Sequence, residues 1–257
     1  MGKYVDQVID DVNELELPPL RRVPRQHPSS HPIPRLYWRP VTTLPPDIAR
    51  LRREDVDALY TDMGDVLVRL RPERFFGRLR ALVPGVQPRA FYGEVLDRRV
   101  YLDFSAGRTD GPAFAAGVAG VLGVEWTFQA FREIWVDMFD PMPGAEEAIA
   151  RAMQAVPVYL LSNTDPVHME HLEGRFPFLT TLTGRHLSHE VGLLKPDPEY
   201  YLSALRRFGH DPRRVVFVDD RKENVDAARG VGLVAVLVDS DAVLPAVVDH
   251  LWGITRA

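Results

Sequence analysis

From residue 56 onward, short apolar runs alternate with segments whose apolar residues recur every three or four positions. The runs at 56–61, 156–161, 215–218 and 233–238 are rich enough in Val, Leu, Tyr and Phe to be strands of a covered sheet. A further strand is expected near 179–183. Residues 145–153, 200–208 and 223–229 carry helical spacing, and Gly209 and Gly230 stand where the last two should stop. Strands alternating with helices predict an α/β fold with a parallel sheet covered on both faces. Between the first and second strands the rhythm breaks. Residues 72–142 hold helix-period segments at 75–82, 91–96, 113–122 and 128–139 and no clear strand, which predicts a helical insert.

The first 55 residues have a different texture. Residues 1–17 are acidic with a weak helical pattern (Val5, Val8, Ile9, Val12). Nine prolines then follow between Pro18 and Pro46 without any sustained period. Each proline removes a backbone donor and restricts the residue before it, so neither a helix nor a central strand fits. An extended arm is expected, either a partly disordered tail or a strap anchored by Leu36, Tyr37 and Trp38. The expected organisation is therefore an arm (1–55), a core (56–71 and 143–257) and a helical insert (72–142).

Composition narrows the function classes. With 46% hydrophobic and 26% charged residues the chain can bury one good core, and a net charge of −5 gives no reason to expect nucleic acid or an anionic membrane as partner. The absence of cysteine excludes disulfides, thiolate catalysis and Cys-ligated metals. Neither a secretory leader pattern nor an apolar stretch of about 20 residues is present, so a soluble, cytoplasmic protein is expected. Oligomeric state is not legible.

In open parallel sheets ligands bind beyond the carboxyl ends of the strands. The polar residues ending the expected strands are Asp62, then Ser162 and Asn163, then Asp219 and Asp220. Lys195 precedes a helix in the run Gly192-Leu193-Leu194-Lys195-Pro196-Asp197-Pro198. Any one of these alone is more simply a turn or helix cap. Three acids, a hydroxyl, an amide and one ammonium at one sheet edge suit a hard, oxygen-ligated cation and a phosphoryl group.

Thr61-Asp62-Met63-Gly64-Asp65-Val66-Leu67, Leu161-Ser162-Asn163-Thr164, Lys195-Pro196 and Val218-Asp219-Asp220-Arg221 together resemble the four ordered motifs of the haloacid dehalogenase superfamily. The spacing from Leu161 to His168, and Asn224 four residues after Asp220, resemble the glucose-1-phosphate phosphatase-like subgroup. The resemblance implies a Rossmann-like parallel sheet with a helical cap inserted between the first and second core strands. It implies a Mg²⁺-dependent phosphatase for a small phosphorylated substrate, a sugar phosphate among the candidates, working through an aspartyl-phosphate. By the same resemblance Asp62 is the nucleophile, and Asp62, the Gly64 carbonyl, Asp220 and Asp219 hold Mg²⁺. Ser162 and the Asn163 amide hold the phosphoryl oxygens and Lys195 neutralises charge. The stretch from Asp103 to Thr109 resembles a cap loop that reaches the active site, which makes Arg108 and Ser105 candidate substrate contacts.

One departure bears on activity. The position two residues after the nucleophile, often an Asp serving as general acid and base in this superfamily, is Gly64 here. The subgroup shares that glycine, and Asp65 should point its side chain away. A phospho-ligand-binding protein that has lost turnover is therefore the rival reading. A dehalogenase is disfavoured by the acidic pair Asp219-Asp220. His27 and His31 lack partners at metal spacing, and His168 is expected to cap or pack. Trp126, Phe128, Phe131, Trp135 and Phe139 are expected to form the core of the insert.

Overall fold

A computed structural model of the protein describes residues 44–86, 91, 93, 95 and 99–253. Its strands are β1 (Ala58–Thr61), β2 (Val68–Leu70), β3 (Phe139–Pro141), β4 (Val158–Ser162), β5 (Gly184–Leu187), β6 (Val215–Asp219) and β7 (Val234–Leu237). The principal helices are α1 (Pro72–Leu82), α2 (Arg99–Ser105), α3 (Gly111–Leu122), α4 (Phe128–Trp135), α5 (Ala145–Met153), α6 (Pro166–Arg175), α7 (Pro198–Phe208), α8 (Lys222–Gly230) and α9 (Val243–Trp252). Five strands form one parallel sheet in the order β5-β4-β1-β6-β7, with Tyr60 of the central strand opposite Tyr159 on one side and Phe217 on the other.

The period-two geometry of a strand explains why these runs are apolar throughout. Leu59, Val158, Leu160, Val216, Val218 and Val236 face one layer, where they pack with Ala148 and Ile149 of α5, Leu172 of α6 and Val247 and Val248 of α9. Their neighbours Ala58, Tyr60, Val215, Phe217 and Ala235 face the other layer, against Tyr200, Tyr201 and Ala204 of α7 and Val225 and Ala228 of α8. The chain makes a three-layer α/β sandwich with a Rossmann-like sheet, as its alternation of elements predicts.

The insert enters after β2 and leaves before β3, and these two strands pair antiparallel, with Leu70 opposite Phe139. Helices α1 to α4 bury a cluster of their own that includes Phe75, Phe76, Phe104, Phe114, Phe131 and Trp135, tiled by ring contacts such as Phe104–Phe114 at 4.4 Å and Phe114–Trp135 at 5.1 Å. Asp110 starts α3 by accepting from Ala113 N–H, and Gly123 ends it in the left-handed region.

Three expectations are corrected. The segment near 179–183 is not a strand: Pro177–Thr181 is a 3-10 turn, closed by the Thr180 and Thr181 hydroxyls donating back to the Pro177 and Phe178 carbonyls. The strand lies later, at Gly184–Leu187. The insert region does contain a strand, β3, because the helix expected over 128–139 stops at Trp135. Residues 44–55 do not behave as part of an arm, since the single turn Pro46–Ala49 buries Ile48 in the core and His250 Nε2 meets the Ile48 carbonyl at 3.0 Å. The helical pattern at 1–17, the anchors Leu36, Tyr37 and Trp38, and His27 and His31 lie outside the described residues, as do residues 92, 94 and 96 of the segment 91–96.

Candidate active site

Asp62 directly follows β1, Ser162 ends β4 and Asp219 ends β6, so three adjacent strands deliver them to one edge of the sheet. The Asp62 N–H donates to the Val218 carbonyl at 2.9 Å, which fixes the nucleophile candidate to the neighbouring strand. Lys195 arrives from the loop before α7. Its ammonium lies 2.8 Å from Asp62 Oδ1, 2.7 Å from Asp219 Oδ2 and 3.0 Å from the Leu161 carbonyl, with its side chain 1% exposed. The Asn163 side chain holds this loop. Its Nδ2 donates to the Lys195 carbonyl and its Oδ1 accepts from the Lys195 N–H, each at 2.8 Å. What Asn163 can offer a ligand is therefore its backbone.

The carboxylates differ in how far they are committed. Asp219 is fully buried and saturated: Oδ1 accepts from Arg221 N–H and Asn224 Nδ2, both at 2.9 Å, while Oδ2 accepts from Lys195 and, at 3.1 Å, from Asn224 Nδ2. Asp220 is half-buried beside it. Burial, followed by repulsion from Asp62, Asp219 and Asp65, pushes its carboxyl up to about 8. Burial works against charge on Lys195 too, but Asp219 and Asp62 outweigh it and hold the ammonium above the usual lysine value.

Asp62, Asp219 and Asp220 each place one oxygen within 4.8 Å of the others. Three carboxylates against one ammonium leave a formal −2, the charge a divalent cation neutralises. An all-oxygen donor set without His or Cys suits a hard ion such as Mg²⁺. The residues therefore fit a divalent metal, with Asp62 and Asp220 keeping oxygens free for it and Asp219 acting mainly to hold Lys195.

A cavity of about 250 Å³ opens over this floor. Asp62, Gly64, Ser162, Asn163, Lys195 and Asp220 all line it, so the structure brings together every expected motif residue except Asp219, which stands just beneath. Ser105 and Arg108 are not there. Ser105 is buried within α2 and donates to the Leu102 carbonyl, and Arg108, 61% exposed, pairs with Asp103 at 3.0 Å. The physical reason is Gly107, which has φ +69° and lies so close to the core turn Ser188–Val191 that an added Cβ would stand 2.1 Å from the His189 carbonyl oxygen. This segment braces the insert against the core rather than entering the cavity.

Asp65 turns aside as expected, accepting from Leu70 N–H at 3.0 Å. His168 packs as expected: Nδ1 is 2.9 Å from the buried Asp165 carboxylate, Nε2 is 2.9 Å from the Trp135 carbonyl, and its ring stacks on Trp135. Sequence reasoning missed the roof. Phe75, Phe76 and Trp135 serve both as core of the insert and as cavity wall, and helical spacing alone cannot separate those roles; Phe139, expected in the core of the insert, lines the cavity from β3 and packs in the main core instead. It also missed that Asn224 positions Asp219.

At the level of fold, the chain superposes with a TM-score of 0.64 at 24% identity on a haloacid dehalogenase-family enzyme of Bacteroides thetaiotaomicron solved with magnesium and inorganic phosphate, covering 71% of this chain and 93% of that one. In sequence it is 34% identical over 88 residues to a sesquiterpene phosphatase of Aspergillus oryzae, covering 34% of this chain and 45% of that protein. It is 24% identical over 141 residues to a D-ribitol-5-phosphate phosphatase of Bacteroides thetaiotaomicron, covering 52% of this chain and 68% of that protein. The chain thus spans less than half the length of the first relative. The profile of the haloacid dehalogenase-like hydrolases matches residues 51–232, a span holding all four motifs, and the chain belongs to that family.

Proposed function

We propose that the chain is a Mg²⁺-dependent phosphatase that transfers the phosphoryl group of a small phosphorylated metabolite to Asp62 and then to water. The observation that carries this reading is Asp62 itself, a strand-end carboxylate on the floor of a cavity, with Oδ1 held 2.8 Å from the Lys195 ammonium. The Lys195 contact takes one lone pair of Oδ1, which leaves the Asp62 carboxylate able to attack phosphorus with one oxygen and to ligate a metal with the other. In the first step the Asp62 O–P bond forms and the P–O bond to the leaving group breaks. In the second, water attacks phosphorus and the Asp62 carboxylate returns as inorganic phosphate departs. Ser162 and the Asn163 backbone would hold the equatorial oxygens, and Lys195 would offset their charge as it spreads in the transition state. Bound at Asp62, the Gly64 carbonyl and Asp220, Mg²⁺ would supply charge neutralisation and orient the phosphoryl oxygens.

Two features of the relatives support the reading: two carry names as phosphatases, and a structural neighbour was solved with magnesium and phosphate. Those names differ on the leaving group, a sesquiterpene in one and a polyol in the other, so they do not choose a substrate. The test is hydrolysis of p-nitrophenyl phosphate by the purified chain with Mg²⁺, against an EDTA control and Asp62→Asn. Loss of a covalent nucleophile should lower kcat by about 10³-fold or more with an unchanged circular dichroism spectrum. Near wild-type turnover by Asp62→Asn would remove this residue from the mechanism. Full activity in excess EDTA would remove the metal.

A further inference from the structure

We infer that the substrate's leaving group is a hydrocarbon, aryl or isoprenoid in size and character, rather than a sugar or other polyol; this rests on the phosphatase reading of the same site. The phosphoryl group is confined to the polar floor by Asp62, Ser162 and Lys195. Whatever is esterified to it must extend into the rest of the cavity. That remainder is walled by Leu70, Phe75, Phe76, Phe91, Trp135 and Phe139.

Among the described residues, most polar atoms of the insert near this wall are already engaged, and the unpartnered Arg221 Nε and Asn224 Oδ1 belong to the core segment beside the acids. Both ring nitrogens of His168 sit at 2.9 Å from acceptors, the Asp165 carboxylate and the Trp135 carbonyl. The Trp135 indole N–H donates to the same Asp165 carboxylate at 3.2 Å. Among the described residues of the insert that line the cavity, the Tyr101 hydroxyl is the one polar group left to meet a ligand. A polyol brings several hydroxyls, and each one buried without a partner weakens binding. A hydrocarbon brings none and gains from every methylene withdrawn from water. Size agrees with this. A cavity of roughly 150 Å³ takes a benzene ring, so about 250 Å³ holds a phosphoryl group with a ring or a short branched chain.

The experiment is a series of linear alkyl phosphates from ethyl to octyl, hydrolysed by the full chain with Mg²⁺ below any micelle-forming concentration. Leaving-group acidity is nearly constant along the series, so only the apolar contact changes. We expect kcat/KM to rise about fourfold per methylene until the wall is filled and then level off, a gain of at least about a hundredfold overall. Two matched pairs separate the sources: dimethylallyl against allyl phosphate for isoprenoids, benzyl against methyl phosphate for aryl groups. The larger partner should win in at least one pair. A flat alkyl series, or glucose 1-phosphate or D-ribitol 5-phosphate outrunning octyl phosphate, would overturn the inference and leave the phosphatase reading standing. If no ester turns over, that reading fails separately, and calorimetric binding of the matching alkylphosphonates decides the inference. Affinity climbing with chain length upholds it, and length-independent affinity sinks it.

Discussion

Replacing Lys195 by Met removes the one cation from a buried cluster of three carboxylates. In the structure the ammonium stands 2.8 Å from Asp62 and 2.7 Å from Asp219, with its side chain 1% exposed. At an effective dielectric of about 20, each contact is worth roughly 6 kcal/mol gross, from which the cost of desolvating the three groups must be subtracted. What the variant exposes is the remainder: two carboxylates left buried without their counter-charge, typically a loss of about 3–5 kcal/mol. For a chain of this size that is a drop in Tm of about 6–20 °C. Urea unfolding measures it, as a lower midpoint with an unchanged slope. Two controls sharpen the reasoning. Lys195→Met with Asp219→Asn should recover part of the loss, because an Asn there can still accept from Arg221 N–H and Asn224 while removing one of the stranded charges. Mg²⁺ should raise the Tm of Lys195→Met more than that of the wild type, since a cluster one charge more negative binds the ion more tightly. Turnover should fall about 10²–10³-fold and stay low in the double variant. A loss below about 1 kcal/mol, or equal Mg²⁺ responses, would refute the picture of Lys195 as the charge that makes this cluster foldable.

Gly64 lies outside the left-handed region, and an added Cβ would meet only the end of the Leu70 side chain at 3.2 Å. Gly64→Asp should therefore fold and supply a proton donor, flattening the plot of log kcat/KM against leaving-group pKa for aryl phosphates. A plot already flat in the wild type would show that another group donates the proton. His186 offers a pH test of stability. Burial, helped by Arg207, lowers its pKa from 6.5 to about 4. The unfolded chain therefore takes up a proton that the folded chain refuses between those values. Stability should be full above pH 6.5 and decline toward pH 4, by roughly 3 kcal/mol from this residue. His186→Gln should show a shallower decline, and an identical profile would exclude the residue.

Much of this architecture was legible because burial on both faces demands it. β1 and β6 read as strands since every residue in them is buried. β5 was misplaced because Gly184-Arg185-His186-Leu187 sits at the edge of the sheet with only its last two residues buried, so its composition is that of a loop. The threonines just before it looked like strand formers, but their hydroxyls close a turn. The short strands β2 and β3 left no periodic trace, because three residues are too few to show one. At the site, the acids and Ser162 were legible because each stands at or just after a strand end, and Lys195 because it precedes α7 in a motif of the resemblance. Arg108 misled because polarity in a turn of the insert suits a brace as well as it suits a substrate contact. The roof was hidden for the opposite reason: aromatic side chains that line a cavity and aromatic side chains that fill a core obey the same spacing.

The antiparallel pairing of β2 with β3 also separates two parts of the chain physically. Leu70 and Phe139 are direct partners, so the backbone leaves the core and returns to it at neighbouring points held in register. Closing a loop between ends already fixed depends only weakly on how many residues lie between them. The intervening stretch can then lengthen, shorten or be exchanged with little effect on the entropy of folding the core. A connection of two to five residues would turn the ribbon into an ordinary hairpin. Divergence of substrate preference can proceed in one continuous block of sequence, residues 71–138, while the strand-end acids and the lysine evolve under a separate set of constraints.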